Sequence, residues 1–358
     1  MSAIAVDEAR VERLRHAYRG LATTRPAARI RDAADELGVS EAELVMTEVD
    51  GAARRLAGGW GQLLQRLPAL GTVMTLTRNP HVVHEKVGRF DSVTVNPGHG
   101  GIGLVLGPDI DLRIFLRHWR YGFAVAKAMK EGVRNSFQFF DETGTAVHKI
   151  FLRAESDLGA YEALVEDFVM GAPRALEIAP PPARRAPRPD AEIDVPALRR
   201  AWLALKDTHD FAPLLMKQKL QRLQALRLAG ENLAARVAPA SLRRTLEWAA
   251  ATGAEIMVFV GNRGCIQIHT GPVETLRAMG PWFNVLDPGF NLHLREDRIA
   301  SAWVVRKPTA DGAVTSLELF DAEDELIATL FGRRKPGEPE RGEWRGFAEA
   351  LAAESERA

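Results

Sequence analysis

Shifted against itself by 184 residues, the chain repeats: Leu14-Arg15-His16-Ala17-Tyr18 falls on Leu198-Arg199-Arg200-Ala201-Trp202, and the echo continues through most of each half. A duplication this long confines the fold to two like halves, because both copies keep one apolar frame and must bury it the same way. It also marks where chemistry belongs. Positions at which the copies part company are positions at which one copy has been specialised. The sharpest is Thr23-Thr24-Arg25 against Asp207-Thr208-His209, where a histidine stands in the second copy alone.

The break between the copies is compositional. Pro173, Pro180, Pro181, Pro182, Pro187 and Pro189, with Pro196 just beyond, stand among alanines and arginines, which makes an extended segment that packs poorly. The expected organisation is a first domain over 1–172, a linker over 173–192 and a second domain over 193–358. Lys plus Arg and Asp plus Glu both total 47, so no net field draws the protein to nucleic acid. The first residues turn acidic at Asp7-Glu8 before an apolar leader forms, and no run of apolar residues is long enough to span a bilayer. A cytoplasmic protein without membrane insertion is expected. The one cysteine, Cys265, excludes an internal disulfide and a cysteine-based metal site, in keeping with a reducing compartment.

Each copy opens with helical spacing, Leu14, Tyr18 and Leu21 in the first and Leu198, Trp202 and Leu205 in the second. Ser40-Glu41-Ala42-Glu43 has the form of a capping box. Strand patterning follows: Val73 to Thr77 matches Met257 to Gly261, with a turn at Arg78-Asn79-Pro80 or Asn262-Arg263-Gly264 and a second strand beyond. After insertions reduce the shift to 180, Ser136 to Asp141 lies on Ser316 to Asp321. Alternating runs joined by short turns read as antiparallel hairpins, and each copy ends in a helix, around 157–170 and 341–353. The fold class is α+β, two tandem similar repeats, each a largely antiparallel sheet flanked by helices.

Several familiar motifs fail. Gly98-His99-Gly100-Gly101-Ile102-Gly103 lacks the spacing of a dinucleotide or P-loop fingerprint. His81 and His84 are three apart, which on a strand puts them on opposite faces and argues against a joint metal site. His99 and His269 read as loop or strand-end residues. Seven tryptophans and fifteen phenylalanines suffice to wall a large apolar ligand, but also to fill two cores.

Three segments are specific enough to compare with a known family. Asp207-Thr208-His209-Asp210-Phe211, the run from Glu255 to Cys265, and Arg306-Lys307-Pro308-Thr309 followed by Val314 to Phe320 closely resemble the haemin-degrading and haem-trafficking proteins of bacterial haem uptake, with their duplicated HemS/ChuX-like domain. Asp111-Leu112-Arg113 with Trp119 and the strand from Ser136 supply matching pieces in the first half. The resemblance implies similar halves with a haem cleft between them. It implies His209 as the axial ligand of haem iron, Arg113 as the residue on the opposite side, and Arg222, Lys307 and Arg334 as cations for the propionates. Phe331 stands where the family commonly has a tyrosine, so one hydroxyl donor to the propionates is missing. His84 matches a first-half histidine near haem in some members, as a second contact or a transfer station.

The chemistry suits these residue types. Neutral imidazole ligates haem iron and leaves the far axial position open. A guanidinium there can donate hydrogen bonds to an anionic ligand, and cations bind carboxylates by charge-assisted bonds. Without the resemblance, His209 would be an ordinary surface or core histidine, Arg113 a strand arginine in a salt bridge, and the three basic residues solvated charges. Asp207 reads as a helix cap rather than a partner for the His209 ring. At Arg113 the second copy has His293, so the copies are expected to contribute unlike groups to one ligand. The implied function is to accept imported haem and take part in its degradation and iron release, with haem as ligand and substrate, a haem ABC importer upstream and an external electron donor. The alternative is a non-enzymatic carrier that sequesters haem and hands it on. Homodimerisation is left open.

Overall fold

The computed structural model describes residues 8–26, 28–49, 51–171, 176–184, 186–335 and 337–355. The chain forms two compact units. The first comprises residues 1–78, 85–182 and 261–267; the second comprises 79–84, 183–260 and 268–358. Each unit therefore includes one short segment from the far half of the sequence. Of the linker, Pro173 lies outside the described residues; 176–184 and 186–189 run without regular secondary structure to a short helical turn at Asp190–Glu192.

The first unit pairs strands Ala53–Arg55, Tyr121–Met129, Gly132–Phe140, Ala146–Ser156 and Gly71–Arg78 in that order, every pair antiparallel. A further meander joins Asp111–Phe115, Ile102–Leu106 and Val93–Asn96. The second unit repeats the plan with Ala234–Val237, Ser301–Thr309, Gly312–Phe320, Leu326–Gly332 and Ile256–Gly261. Its meander is Phe290–Arg295, Trp282–Asp287 and Leu276–Met279. The long hairpins agree in detail: Met129 faces Gly132 as Thr309 faces Gly312, and the strand after each carries a bulge, at Phe139/Phe140 and at Leu319/Phe320. With helices packed on these sheets, both units are α+β. No helix among the described residues is long and apolar enough to cross a membrane.

Local chemistry sets the ends of the elements. Ser40 and Glu43 form the expected capping box on the helix Glu41–Met46. Asp157 and Asp194 cap Leu158–Phe168 and Val195–Leu203 through their side chains. The second helix stops at Leu203, so Leu205 lies beyond it, yet Leu198, Trp202 and Leu205 all reach one buried cluster with Phe211, Trp303 and Phe320. In the first copy Leu14, Tyr18 and Leu21 are only partly buried, against Ala33, Ala34 and Leu44.

The turns refine the match between the copies. Asn79 Oδ1 accepts from the backbone of His81 and Val82, and its Nδ2 donates to the Ile327 carbonyl. Asn262 Oδ1 accepts from Gly264 and Cys265, and its Nδ2 donates to the Val147 carbonyl. These asparagines are equivalent, so the local shift is 183 rather than 184 and His81 answers to Gly264. Glycine is needed there because a Cβ would come within 2.8 Å of the Val147 side chain. The following hairpins turn identically: Asp141 Oδ1 accepts from the backbone of Thr143 and Thr145, and Asp321 Oδ1 from that of Glu323 and Glu325. The left-handed position is Gly144 in one (φ 74°) and Asp324 in the other (φ 62°).

Candidate functional site

His209 lies on the short turn Thr208–Asp210, between the helices Val195–Leu203 and Phe211–Gln218. Asp207 Oδ1 accepts from the His209 backbone N–H at 2.8 Å and also contacts ring Nδ1 at 2.6 Å. Asp207 is thus both the cap expected of it and the ring partner it was not expected to be. The bonds from the His209 backbone and ring hold its carboxyl below the usual carboxylate range. An Nδ1–H directed at a carboxylate fixes the tautomer, orients the imidazole and leaves the Nε2 lone pair outward. The side chain is 88 % exposed, so nothing in its own unit covers that nitrogen.

Two residues on, Phe211 turns inward and lies over a buried ion cluster. Arg222, the first residue of the helix Arg222–Ala229, grips Glu318 with both Nε (2.6 Å) and Nη2 (2.7 Å). Lys307 Nζ reaches the same carboxylate at 2.7 Å, and Ser316 Oγ donates to it at 3.1 Å. Both cations sit against the Phe211 ring, 5.2 Å and 4.9 Å from its centroid. Burial pushes the Glu318 carboxyl up, but Arg222 and Lys307 outweigh it and hold the group far below its ordinary value. Burial in turn lowers the Lys307 ammonium against the pull of Glu318. With two cations and one carboxylate the cluster keeps one net positive charge.

The sheet register explains the gathering. Ser316 faces Val305 on one side and Phe331 on the other, and Glu318 faces Trp303 and Thr329. Since directly paired residues share a face, Lys307, Ser316, Glu318 and Phe331 all lie toward the helices. Phe331 packs edge-on to Phe259, with centroids 5.1 Å apart. Arg334 follows the end of its strand, half-buried and without an ion pair among the described residues. Glu318 was in plain sight as the one charge in Ser316-Leu317-Glu318-Leu319-Phe320, and a carboxylate between buried leucines requires a cationic partner.

Arg113 occupies the strand Asp111–Phe115 of the first unit, where Leu112 and Ile114 are buried and Asp111 and Arg113 share the other face. Its guanidinium is ion-paired to Asp111 and also donates to the Leu112 carbonyl. Burial raises the Asp111 carboxyl pKa against the pull of Arg113. The equivalent His293 hydrogen-bonds through Nδ1 to Asn284 at 2.8 Å. His84 is fully buried in the second unit, its ring 5.0 Å from that of Phe290. Phe290 is also stacked on His269. The structure thus brings Arg222 and Lys307 together on Glu318 against the Phe211 ring, with Phe331 on the same sheet face, while His84 lies in a separate aromatic cluster.

Comparison with known proteins defines the class. The Haemin-degrading HemS.ChuX domain matches residues 38–168 and again 219–351, one match to each copy. The chain belongs to this family. Among curated relatives, the hemin transport protein HemS of Yersinia enterocolitica is 43 % identical over 316 residues, covering 88 % of this chain and 90 % of that one. Among solved structures, holo-PhuS, a heme-binding protein from Pseudomonas aeruginosa, is 51 % identical with a TM-score of 0.93, over 95 % of this chain and 99 % of that one. The heme degrading enzyme ChuS of Escherichia coli O157:H7 is 38 % identical with a TM-score of 0.89, over the same shares of the two chains.

Proposed function

We propose that this protein binds haem with His209 as the axial iron ligand and takes part in haem degradation and iron release, haem being ligand and substrate together. The observation that carries the reading is the Asp207–His209 contact, which fixes the imidazole with Nε2 turned outward on an exposed ring. That arrangement suits iron ligation and has no role in packing. The single net charge of Arg222, Lys307 and Glu318 suits one propionate, and Arg334 is the candidate for the other. Phe331 contributes apolar contact where a tyrosine would donate a hydrogen bond. Arg113 is the candidate for the opposite axial side, where its hydrogen-bond donors would orient an anionic iron ligand once released from Asp111. His84, being buried, would contact haem only after a rearrangement. Relatives titled as a transport protein, a heme-binding protein and a heme degrading enzyme agree with this chemistry. A cytoplasmic site of action, a haem importer upstream and an external electron donor complete the reading.

Transfer without degradation is the second reading, favoured by the open Nε2, which a receiving protein could approach. Loading the protein with haem and adding reductant under air, with catalase present, separates the two. Loss of the Soret band with a discrete tetrapyrrole product supports degradation, and a stable band supports transfer. His209→Ala should abolish the native axial spectrum, whereas an unchanged spectrum and affinity would overturn the ligand assignment. Arg113→Ala should lower turnover more than binding; equal losses would reduce it to a structural residue.

A further inference from the structure

In the second unit, His81 Nε2 lies 3.1 Å from Asp321 Oδ2, and a Glu323 carboxylate oxygen completes a set whose three ligand atoms all fall within 4.8 Å of one another. From these residues we infer a binding site for a first-row divalent transition metal, separate from the haem residues and independent of the haem reading.

Two of the three residues are held in place, and the carboxylate of the third lies within reach of both. Asp321 spends Oδ1 on the backbone N–H groups of Glu323 (2.9 Å) and Glu325 (2.8 Å), so Oδ2 is fixed toward His81. The backbone of His81 is clamped at both ends, its N–H on Asn79 Oδ1 at 3.1 Å and its carbonyl accepting from Arg295 at 2.9 Å. The Glu323 carboxylate is exposed and makes no hydrogen bond or ion pair among the described residues, which leaves it free to swing onto an ion.

The spacing is that of neighbouring ligands. Bonds of about 2.1 Å at right angles put two donor atoms about 3 Å apart, close to the 3.1 Å between His81 Nε2 and Asp321 Oδ2. One imidazole with two carboxylates favours manganese, ferrous iron, cobalt or zinc over calcium and magnesium, which prefer all-oxygen sets. Three protein donors also leave coordination positions open to water.

The duplication supplies an internal contrast. The equivalent turn of the first unit keeps the structural aspartate, Asp141, with the same backbone bonds. It has Gly264 where the second unit has His81, and Thr143 where it has Glu323. The turn itself therefore requires only the aspartate. The imidazole, from the first copy, and the second carboxylate, from the second copy, are additions found in this unit alone.

The test is titration of haem-free protein with Co²⁺, followed by its visible d–d bands, and with Zn²⁺ by calorimetry. A His209→Ala background removes the competing exposed imidazole. One equivalent should bind, with the affinity falling more than about tenfold in His81→Ala and again in Glu323→Gln. Glu323→Gln is the guard against misfolding, since this side chain is exposed and the turn bonds come from Asp321. Wild-type affinity in either variant, or no binding of Co²⁺ or Zn²⁺ at millimolar concentration, overturns the proposal.

Discussion

Asp207 acts twice within one turn of chain, closing the turn through the His209 backbone and fixing the ring through Nδ1. Asp207→Ala should leave the fold intact but weaken haem-iron ligation by about 10- to 100-fold, read as a shift in the midpoint of a haem titration; unchanged affinity would show the ring contact to be incidental. Glu318 is the opposite case, a buried carboxylate whose removal strands the buried Lys307 and the half-buried Arg222. Glu318→Gln should cost about 3–5 kcal/mol, measured from urea unfolding. Its sign with pH follows from the depressed pKa. The native carboxylate stays ionised where the unfolded one, near pH 4.3, begins to protonate. The stabilisation is therefore complete above about pH 4.3 and is lost as the pH falls toward the folded value.

His148 belongs to the strand Ala146–Ser156, next to the turn closed by Asn262. Its Nδ1 meets Thr77 Oγ1 at 2.9 Å, its Nε2 is buried with no hydrogen-bond partner among the described residues, and burial pushes its pKa down to about 3. The unfolded chain takes up a proton near pH 6.5 that the folded strand refuses, so acidification from there to about pH 3 should cost about 1.4 kcal/mol per pH unit. His148→Leu should flatten that slope, and the window above pH 4.5 separates it from Glu318; an unaltered slope would mean that the ring is protonated in the native strand. Beside it, the Cys265 thiol is pushed up to about 12 by burial, which makes it inert as a nucleophile.

The repeat was legible because it is written in apolar spacing, and both units show the same strand order and the same bulges. The division into compact units was less so. Residues 261–267 belong to the first unit, where Asn262 bonds to Arg78 and Val147, the Gly264 carbonyl accepts from Phe115 and Trp119, and Cys265 joins the core. A fragment of residues 1–182 lacks all of these and should fail to unfold cooperatively; a sharp transition at the midpoint of the full chain would show the segment to be dispensable. No local signal foretold this, because a strand's pattern records that a face is buried but not which partner buries it.

By itself the sequence determined the class of each unit, the capping box at Ser40 and Glu43, the cap at Asp207, the hairpins and the one-sided appearance of His209, since these depend on residues close together in the chain or on a pattern compared with its own copy. Resemblance to a family, rather than spacing, singled out Arg113, Arg222, Lys307, Phe331 and Arg334. Only the tertiary structure decided that Arg222 and Lys307 share Glu318, that Asp207 holds the His209 ring, that His84 is buried, and that His81 meets Asp321 and Glu323. Arg222 and Glu318 are 96 residues apart, and His81 and Asp321 are 240. Pairings across such separations are set by sheet register and helix packing, and no local pattern encodes either.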